Sequence, residues 1–415
     1  MSNVELLVAD LFRRSSARTI ALLVRALGTA HLETAEEAVQ EALLRALRVW
    51  PMRGVPENPE AWLVTVARRA ALDALRRSEV RARLAADVAS AAPAALARMP
   101  ETAGLDDELA LLFLCAHPSL PRASRLALML KEACGFGVTE IAAALLSAPE
   151  AVAQRLVRAK RALRNVGASA DLPLPIERAA RLETVLESIA LLFNEGYSAN
   201  AGDSAVRDDL CREAIRLAEL LLQSRETHTP DVHALLALMR FHGSRLSARE
   251  DEAGVPLTLA EQDRSRWDRR WIAEGHRHLE SAMDSPRLTA WHLEAGIAAC
   301  HAVAADEAST DWAGVLDFYD ALLLVRASPV VEVNRAVALG FAEGPQQGLA
   351  ALDRLGQHRA LERYAPLELA RAGLRLRAGD PAGAALAYEA ALSRPMGSAQ
   401  RRFVERALAR LAAGS

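Results

Sequence analysis

Apolar residues recur at intervals of three and four along almost the whole chain, and strict alternation of apolar and polar residues is nearly absent. Intervals of three and four place apolar side chains on one face of an α-helix, whereas alternation marks a half-buried strand. Proline is scarce inside the long periodic segments, as a helix interior requires. The pattern therefore predicts an all-α protein.

The periodic pattern is interrupted twice. Residues 85–104, "AADVASAAPAALARMPETAG", lose the strong apolar period and are typical of a flexible linker. A second break lies at 165–177, "NVGASADLPLPIE". We therefore predict domains at 1–84, 105–165 and 176–415, the first two of which are small.

The third predicted domain contains a repeated unit. The runs "DWAGVLDFYDALL", "GPQQGLAALDRL" and "DPAGAALAYEAAL" align so that Trp312, Gln346 and Ala382 correspond, at intervals of 34 and 36 residues. Each run follows another helical segment, so the unit is two helices joined by a glycine-containing turn. This period indicates a tetratricopeptide-like α-solenoid, in which each unit is too small to bury its own apolar face and stacks on its neighbours. Between residues 178 and 290 the repeat is blurred.

The second predicted domain ends in a short helix, a tight break and a basic helix. We predict helices from Arg122 to Ala133 and from Thr139 to Leu146, and a capping box of Ser147 and Glu150 that begins the last helix. This is the pattern of a helix-turn-helix with a basic second helix. Its buried stripe would hold Val152, Leu156, Ala159 and Leu163, and its other faces carry Gln154, Arg155, Arg158, Lys160, Arg161 and Arg164.

The basic face of this last helix has two interpretations. An ordinary amphipathic helix solvates its arginines, which is the commoner case for an isolated helix. The short preceding helix favours DNA recognition instead. Arg can hold phosphate oxygens or guanine edges bidentately, and Gln can read adenine in the major groove.

The first predicted domain contains two further helices. Thr34 and Glu37 form a second predicted capping box, and Asn58, followed by Pro59, would cap the helix "PEAWLVTVARRAALDALRR". The helix after Thr34 would bury Val39, Leu43, Ala46, Leu47 and Trp50 and expose Glu36, Glu37, Gln40, Glu41 and Leu44. The helix after Asn58 would place Trp62, Arg68, Arg69, Arg76 and Arg77 at or near its surface.

Two of these residues have a second interpretation. Leu44 among carboxylates is either one of the single exposed leucines that are common on surfaces or the apolar centre of a docking patch. For Trp62, packing in the core is the commoner role.

Charge and cysteine content narrow the function classes. Residues 1–165 hold 22 Lys and Arg against 18 Asp and Glu, whereas residues 166–415 hold 28 against 35, so an anionic partner is indicated for the first part only. The chain has only two lysines, Lys131 and Lys160, a bias to which we attach no function. The four cysteines lack the close pairs of metal sites. No apolar run approaches the roughly 18 residues of a membrane span, so we expect a cytoplasmic protein.

The quoted segments resemble a known family. "TAEEAVQEALLRAL" and "NPEAWLVTVARRAALDALRR" resemble region 2 of extracytoplasmic-function (ECF) sigma factors, and "LPRASRLALMLKEACGFGVTEIAAALLSAPEAVAQRLVRAKRALR" resembles their region 4. The rest is similar to the ECF group with a C-terminal tetratricopeptide-like domain, through runs such as "LLFNEGY", "EQDRSRWD" and "SPVVEVNRAVA". The resemblance covers essentially the whole chain. Two departures, the alanine-rich "LLSAPEAVAQR" and "CAHPSL" in place of a usual double cysteine, leave the −35 sequence open.

The resemblance implies a transcription initiation subunit with no catalytic chemistry, cofactor or membrane contact of its own. Its implied partners are core RNA polymerase, through the β′ clamp helices and the β flap, promoter DNA, and a small DGPF-type protein. The core-binding residues would be Glu36, Glu37, Gln40, Glu41 and Leu44. The −10 element would meet Asn58, Trp62, Arg68, Arg69, Arg76 and Arg77, with the loop from Pro51 to Asn58 holding a flipped base. The −35 element would meet Gln154, Arg155, Arg158, Lys160, Arg161 and Arg164.

The same resemblance bears on the C-terminal repeats. Their net negative charge makes duplex DNA a poor ligand for them, so we expect them to contact protein. They would either fold back to mask the basic helices or add a contact to polymerase. The second is favoured because the C-terminal domain of this group tends to support activity.

Two other function classes are open at this point. An enzyme with a catalytic C-terminal half would use the charged run "EQDRSRWDRRW", although Asp263, Arg264, Arg266 and Asp268 at helical spacing more often form an ion-pair network. Metal binding is disfavoured because His276 and His278 lie two apart and would not face one way on a helix. A plain activator on a repeat scaffold would bind promoter duplex without polymerase.

Overall fold

The computed structural model describes residues 3–82, 92–100, 104–145, 147–169, 171–197, 207–356 and 358–413. Within these ranges the chain is helical and forms no β-strand, apart from one isolated bridge between Glu250 and Pro256, so the all-α prediction is confirmed. None of the described helices is long and apolar enough to cross a membrane. The chain divides into two compact units, Met1–Ser188 and Ile189–Ser415.

Three long helices begin the first unit. They are α1 (Asn3–Leu27), α2 (Leu32–Arg53) and α3 (Pro59–Ala82), and they pack against one another. Leu22, Leu63 and Ala67 are among the fully buried residues of this bundle. The helix α2 ends at Arg53, and Gly54 follows as its C-cap. Gly54 has a φ of +83°, which glycine adopts at little cost, and its N–H donates back to the Trp50 carbonyl oxygen. Pro51 therefore lies in the last turn of α2, and the loop before α3 is shorter than we predicted.

A short helix, α4 (Ala92–Ala97), lies within the predicted linker. It packs against α1 and α3, and Leu96 is completely buried while Met99 just beyond it is nearly so. Residues 92–100 are thus attached to the first bundle. Residues 85–91 and 101–103 of the predicted linker lie outside the described residues.

Four helices form the next module: α5 (Leu105–Cys115), α6 (Arg122–Glu132), α7 (Val138–Ala144) and α8 (Pro149–Asn165). The predicted order of a short helix, a break and a basic helix is confirmed. The helix α8 packs against both α6 and α7, and Ile141, Val152 and Leu163 are completely buried between them. A further helix, α9 (Pro175–Tyr197), continues into the second unit.

Both predicted capping boxes are wrong. The helix α8 begins at Pro149 with Ala148 as its N-cap and no side-chain cap bond, so Ser147 lies outside the helix start. The helix α2 begins at Leu32, which places Thr34 inside its first turn. Neither N-cap residue, Ala148 or His31, makes a side-chain hydrogen bond to the first turn of its helix.

The described part of the second unit is a series of helices in which chain neighbours pack together: α10 (Asp208–Leu222), α11 (Pro230–Gly243), α12 (Arg269–Ala282), α13 (Ala290–Val303), α14 (Trp312–Val325), α15 (Pro329–Ala342), α16 (Pro345–Leu355), α17 (Ala365–Arg377), α18 (Pro381–Leu392) and α19 (Ser398–Ala413). Trp312, Gln346 and Ala382 fall in the first turns of α14, α16 and α18, as the repeat predicts. Gly344 lies in the turn between α15 and α16, and Gly379 lies in the turn between α17 and α18; both have a positive φ.

The last helix bonds to a loop far back in the same unit. Arg406 of α19 pairs with Asp251, Arg410 Nη1 lies 2.7 Å from Glu261 Oε1, and Arg402 donates to the Gly254 carbonyl oxygen at 3.2 Å. These contacts join positions about 150 residues apart in the sequence. They fix the loop between α11 and α12 from outside its own repeat.

Candidate nucleic-acid interface

The basic helix α8 has one buried stripe, as predicted. Val152, Leu156, Ala159 and Leu163 are each no more than 6% exposed, because their spacing of three and four keeps them on the side that meets α6 and α7. The predicted DNA-reading face is largely open. Gln154, Arg158, Arg161 and Arg164 are exposed, and Arg155 is half-buried.

Lys160 does not belong to this open face, which corrects the prediction that it binds the −35 element. Its side chain is only 10% exposed, and its Nζ lies 2.5 Å from Glu36 Oε2 and 2.9 Å from Glu132 Oε1. Burial lowers the pKa of Lys160, but the two carboxylates outweigh burial and raise that pKa to about 12. The ammonium is therefore charged and paired with two carboxylates instead of facing the open surface of α8.

The prediction for Glu36 also needs correction, because its carboxylate is largely covered and paired with lysines. We predicted that it docks on polymerase, but its side chain is 14% exposed and Lys131 Nζ lies 3.0 Å from its Oε1. Burial raises the pKa of Glu36, yet Lys160 and Lys131 together bring it below its usual value. Glu132 is buried more deeply, and burial raises its pKa to about 7 although Lys160 opposes the shift. We call Glu36, Lys131, Glu132 and Lys160 the inter-region ion cluster.

The remaining predicted polymerase contacts share one surface of α2. Glu37, Gln40, Glu41 and Leu44 are exposed and, with Arg45 and Arg48, line a shallow depression of about 380 Å³. Leu44 is 53% exposed. Leu47, which we placed on the buried side, is 37% exposed and lies three positions from Leu44. Leu44 gives the depression an apolar group, and Leu47 adds a second exposed leucine nearby that the periodic pattern did not reveal.

On α3 the predicted cap is confirmed, since Asn58 Oδ1 accepts from the Ala61 N–H at 3.0 Å. Trp62 is half-buried, and its ring meets the buried Trp50 ring edge to face, with centroids 5.2 Å apart. Packing against Trp50 thus covers part of a ring that we expected at or near the surface. Of the predicted arginines, Arg69, Arg76 and Arg77 are exposed and Arg68 is half-buried.

The segment that joins α2 to α3 presents apolar side chains that we did not single out. Met52 is 78% exposed and Val55 is 42% exposed. They stand on either side of Gly54, close in sequence to Asn58 and the start of α3. The sequence did carry a signal for this apolar surface, namely apolar residues placed among Pro, Gly and Asn residues that favour turns.

The charged run of the second unit serves helix ends. Asp263 Oδ1 accepts from the Ser265 N–H, and Asp268 Oδ1 accepts from the N–H groups of Arg270 and Trp271 at the start of α12. Arg264 donates to the carbonyl oxygens of His301 and Ala304. Asp263, Arg264 and Asp268 of the run therefore make caps and backbone bonds, while Glu261 and Arg270 at its ends pair with Arg410 and Glu274.

Three histidines of the second unit are in contact, since His233 Nε2 lies 3.0 Å from His228 Nε2 and the other ring nitrogen of His233 faces His278. His276 packs edge to face on Phe241, whereas His278 Nδ1 lies 2.9 Å from His233 Nδ1. Burial lowers the pKa of His278 to about 4. Among the described residues no group of three or more His, Cys, Asp or Glu side chains is arranged to hold a metal ion.

A cavity of about 560 Å³ opens in the second unit, between α9, α11, α13, α14 and α15. Aromatic side chains supply much of its lining, and Trp312 and Phe341 stack there with centroids 4.0 Å apart. His301 also lines it, and burial, reinforced by Arg245 and Arg264, lowers its pKa to about 4. A cavity of this size and character is suited to taking apolar or aromatic groups of a ligand.

Three segments of the chain match known protein families. Residues 11–81, which cover α2 and nearly all of α3, match the family described as Sigma-70 region 2, and residues 110–163, which cover α6, α7 and most of α8, match Sigma-70, region 4. The chain belongs to the ECF-type sigma factors. Residues 181–283 match a family of unknown function, DUF6596. We therefore call α1–α3 region 2 and α5–α8 region 4 of this sigma factor.

The sigma factor also has a relative along almost its full length. It is 37% identical over 388 residues to the uncharacterized protein R00370 of Rhizobium meliloti (strain 1021), covering 92% of this chain and 91% of the relative. No solved structure matches the chain. As a sigma factor, the protein binds core RNA polymerase and directs it to promoter DNA, while the function of its C-terminal domain is unknown.

Proposed function

We propose that this sigma factor recognises the −35 element through α8 and the −10 element through α3, while the exposed face of α2 docks on the β′ clamp helices. The carrying observation is that α8 exposes Arg158, Arg161 and Gln154 directly opposite a fully buried stripe. A helix fixed on one side and open on the other can enter a major groove without disturbing its own core. Region 4 would also contact the β flap, a partner implied by the resemblance.

The −35 contacts follow from side-chain chemistry. Arg158 and Arg161 are one helical turn apart, so both can reach the same groove. Guanidinium groups bind guanine edges or phosphates bidentately, and Gln154 offers the donor and acceptor that adenine requires. Arg155 and Arg164 would hold the flanking backbone.

The −10 contacts draw on both polar and apolar groups. Arg69, Arg76 and Arg77 are exposed along α3 and suit the phosphates of the separated strand, with Arg68 beside them. Met52, Val55 and the open part of Trp62 supply an apolar surface near the start of that helix. Bases taken out of the stack bind by stacking on such surfaces.

The α2 face would bind polymerase through a small apolar centre with a polar rim. Leu44 supplies the apolar group of the depression that Glu37, Gln40 and Glu41 also line, and the exposed Leu47 lies three positions further along the helix. This composition matches the core and rim of a protein interface.

The C-terminal domain would support activity through a protein contact. Its helix pairs and its cavity of about 560 Å³, with the stacked Trp312 and Phe341, provide a surface for side chains of a partner. Polymerase is the partner we favour. The small DGPF-type protein implied by the resemblance is the second candidate.

Reconstitution tests this function directly. The purified chain is combined with core RNA polymerase and genomic DNA, and the promoters that open are sequenced. A shared −35 and −10 motif upstream of the start sites is the expected result. Tight binding to promoter duplex without polymerase, and no opening with it, would indicate a plain activator instead.

A further inference from the structure

The cavity of the second unit has largely aromatic walls. Aromatic side chains of α13, α14 and α15 line it, namely Trp291, Trp312, Tyr319 and Phe341. Its volume of about 560 Å³ lies within the roughly 300–1,000 Å³ that is usual for small-molecule sites. Aromatic walls offer a flat ring both apolar burial and ring-to-ring contact. The cavity is therefore shaped and lined for a ligand with an aromatic body.

Three basic side chains line the same cavity, His242, Arg245 and His301. Arg245 donates to the Tyr197 hydroxyl, and its Nη2 lies 3.3 Å from His242 Nδ1. In the described part of the chain its Nε and Nη1 make no hydrogen bond, and no carboxylate oxygen lies within 4 Å of its guanidinium. Arg245 thus lines the cavity as a cation with unused donors.

The electrostatic surroundings of the two histidines are positive. Burial lowers the pKa of His301 to about 4, and Arg245 and Arg264 add to the shift. Burial also lowers the pKa of His242 well below its usual value, and Arg245, Arg249 and His301 add to it. In addition, His301 Nδ1 is buried and has no hydrogen-bond partner among the described residues. Buried polar atoms are normally satisfied, so this nitrogen and the unused donors of Arg245 indicate a polar group that the chain itself does not supply.

Two carboxylates also line the cavity, but neither neutralises Arg245. Glu294 is paired with Arg326, and burial raises the pKa of that carboxyl. Glu307 acts on Arg264 from beyond ion-pair distance. An anionic group that enters the cavity therefore has a cation to bind.

We propose that this cavity binds a small aromatic carboxylate, whose ring lies against the aromatic walls and whose carboxylate is held by Arg245 and His301. A guanidinium binds a carboxylate through two parallel N–H donors, and Arg245 has donors left for this purpose. The attraction between the charges is stronger in a partly enclosed cavity than in bulk water. Because the ring and the charge contribute separately, a neutral aromatic compound binds less tightly than the acid.

The bound acid also regulates transcription. It fills the space that we assign to side chains of a protein partner, so the acid and the partner compete for the cavity. This consequence rests on the proposed function, whereas binding of the acid does not. Filling the cavity therefore reduces the support that the C-terminal domain gives to transcription.

Binding is tested by isothermal titration calorimetry on the full-length chain. The probes are benzoate, indole-3-acetate and naphthalene-1-acetate, each compared with its uncharged amide. Arg245→Gln removes the cation and Arg245→Lys retains it. Arg287→Gln is the matched control, because Arg287 is exposed and lies outside the lining of the cavity.

In the parent the acid that fits best should bind roughly 10- to 100-fold more tightly than its amide, since a charge-assisted contact distinguishes them. This preference should disappear in Arg245→Gln, persist in part in Arg245→Lys and be unchanged in Arg287→Gln. Thermal unfolding shows that each variant is folded. The proposal is overturned if no acid binds the parent at millimolar concentrations, or if the preference for the acid survives in folded Arg245→Gln.

Run-off transcription with core RNA polymerase separates this inference from the proposed function. The acid that binds should lower transcription by the parent more than its amide does, and it should have no such effect on Arg245→Gln. Binding of the acid without any change in transcription would retain the ligand site and refute the role proposed for the cavity in contacting a protein partner. Absence of acid binding would overturn the ligand site whatever the transcription assay shows.

Discussion

The residues of α8 fall into three sets. Some are buried, some are exposed, and Lys160 is paired with carboxylates of neighbouring helices. Arg158 and Lys160 are two positions apart and both basic, yet Arg158 is open to solvent and Lys160 is 10% exposed. The difference arises because Lys160 points toward Glu36 and Glu132, whose carboxylates compensate its burial. Basic charge on a helix is therefore a guide to nucleic-acid contacts only where no carboxylate of a neighbouring helix has taken it.

We predict that Arg158→Ala and Arg161→Ala each weaken promoter binding by the polymerase complex by about 1–3 kcal/mol, if each arginine contacts a base. The effect should depend on the −35 sequence. Competition binding of the polymerase complex to promoters with altered −35 elements measures it. Arg122→Ala, an exposed arginine on α6, is the control, and unchanged promoter opening by the double variant would contradict the assignment.

His301 is one of several histidines of the C-terminal domain, with His242 and His278, whose pKa burial lowers and which therefore make the domain sensitive to acid. Its pKa is about 4 in the folded protein because of burial, with Arg245 and Arg264 adding to the effect, against about 6.5 when unfolded. A lowered histidine pKa means that the unfolded chain binds the proton more readily, so stability falls as pH decreases from about 6.5 to about 4. For a group this deeply buried the loss is up to about 3 kcal/mol.

We predict that His301→Leu reduces this acid sensitivity. The melting temperature should fall less between pH 7 and pH 4.5 in the variant than in the parent, because leucine binds no proton. Scanning calorimetry at several pH values measures the difference. His31→Leu, in the first unit, should leave the pH dependence of the C-terminal domain as it is, and parallel curves for parent and His301→Leu would refute the prediction.

At the scale of elements, α2 has distinct surfaces with distinct partners. One side is buried against α1 and α3, Glu36 faces region 4, and Glu37, Gln40, Glu41 and Leu44 line an open depression. Because successive residues on a helix turn by about 100°, Glu36 and Glu37 face different neighbours. A single helix thus connects the inter-region contact to the proposed polymerase contact.

We predict that Leu44→Arg weakens binding to core polymerase by about 2 kcal/mol or more, roughly 30-fold, because it places a charge at the apolar centre of the docking face. The fold should be unaffected, since Leu44 is more than half exposed. Co-sedimentation with core polymerase measures the affinity. Leu174→Arg, an equally drastic change at an exposed leucine outside α2, should bind normally, and wild-type binding by Leu44→Arg would exclude this face.

Local pattern predicted most elements, and distant contacts account for most of the errors. The stripe Val152, Leu156, Ala159 and Leu163 is set by helical spacing alone, and it is confirmed. Lys160 was misassigned because its partner Glu36 lies 124 positions away, which a pattern of spacing does not register. The pairing of α19 with the loop at Asp251 was unforeseen for the same reason. Among the described residues the errors at helix starts are of another kind, since Ala148 and His31 precede helices without a side-chain cap.

On the scale of the whole molecule, the boundary between units lies inside a helix. The first unit extends to Ser188, and α9 continues from Pro175 to Tyr197. Within that unit Arg125 donates to the Thr184 hydroxyl, and Arg122 pairs with Glu187. We predicted the C-terminal domain from residue 176, so a truncation designed on sequence alone would remove a helix that region 4 contacts.

We predict that a chain ending at Tyr197 remains folded but loses most of its activity in run-off transcription with core polymerase, because the C-terminal domain supplies a supporting protein contact. A chain ending at Ser169, which also lacks α9, is the comparison that separates the contribution of α9. Helix content and thermal unfolding of both chains establish whether they fold. Higher activity of the chain ending at Tyr197 would mean that the C-terminal domain inhibits instead.

The inter-region ion cluster contains both lysines of the 415-residue chain. Acylating reagents that modify primary amines therefore find only two side chains, with exposures of 19% and 10%, besides the amino terminus. Intact-mass spectrometry resolves zero, one or two modified lysines without any labelling mutation. The rate of lysine acylation in the unmodified protein therefore measures how well the contact between α2, α6 and α8 covers these two amines.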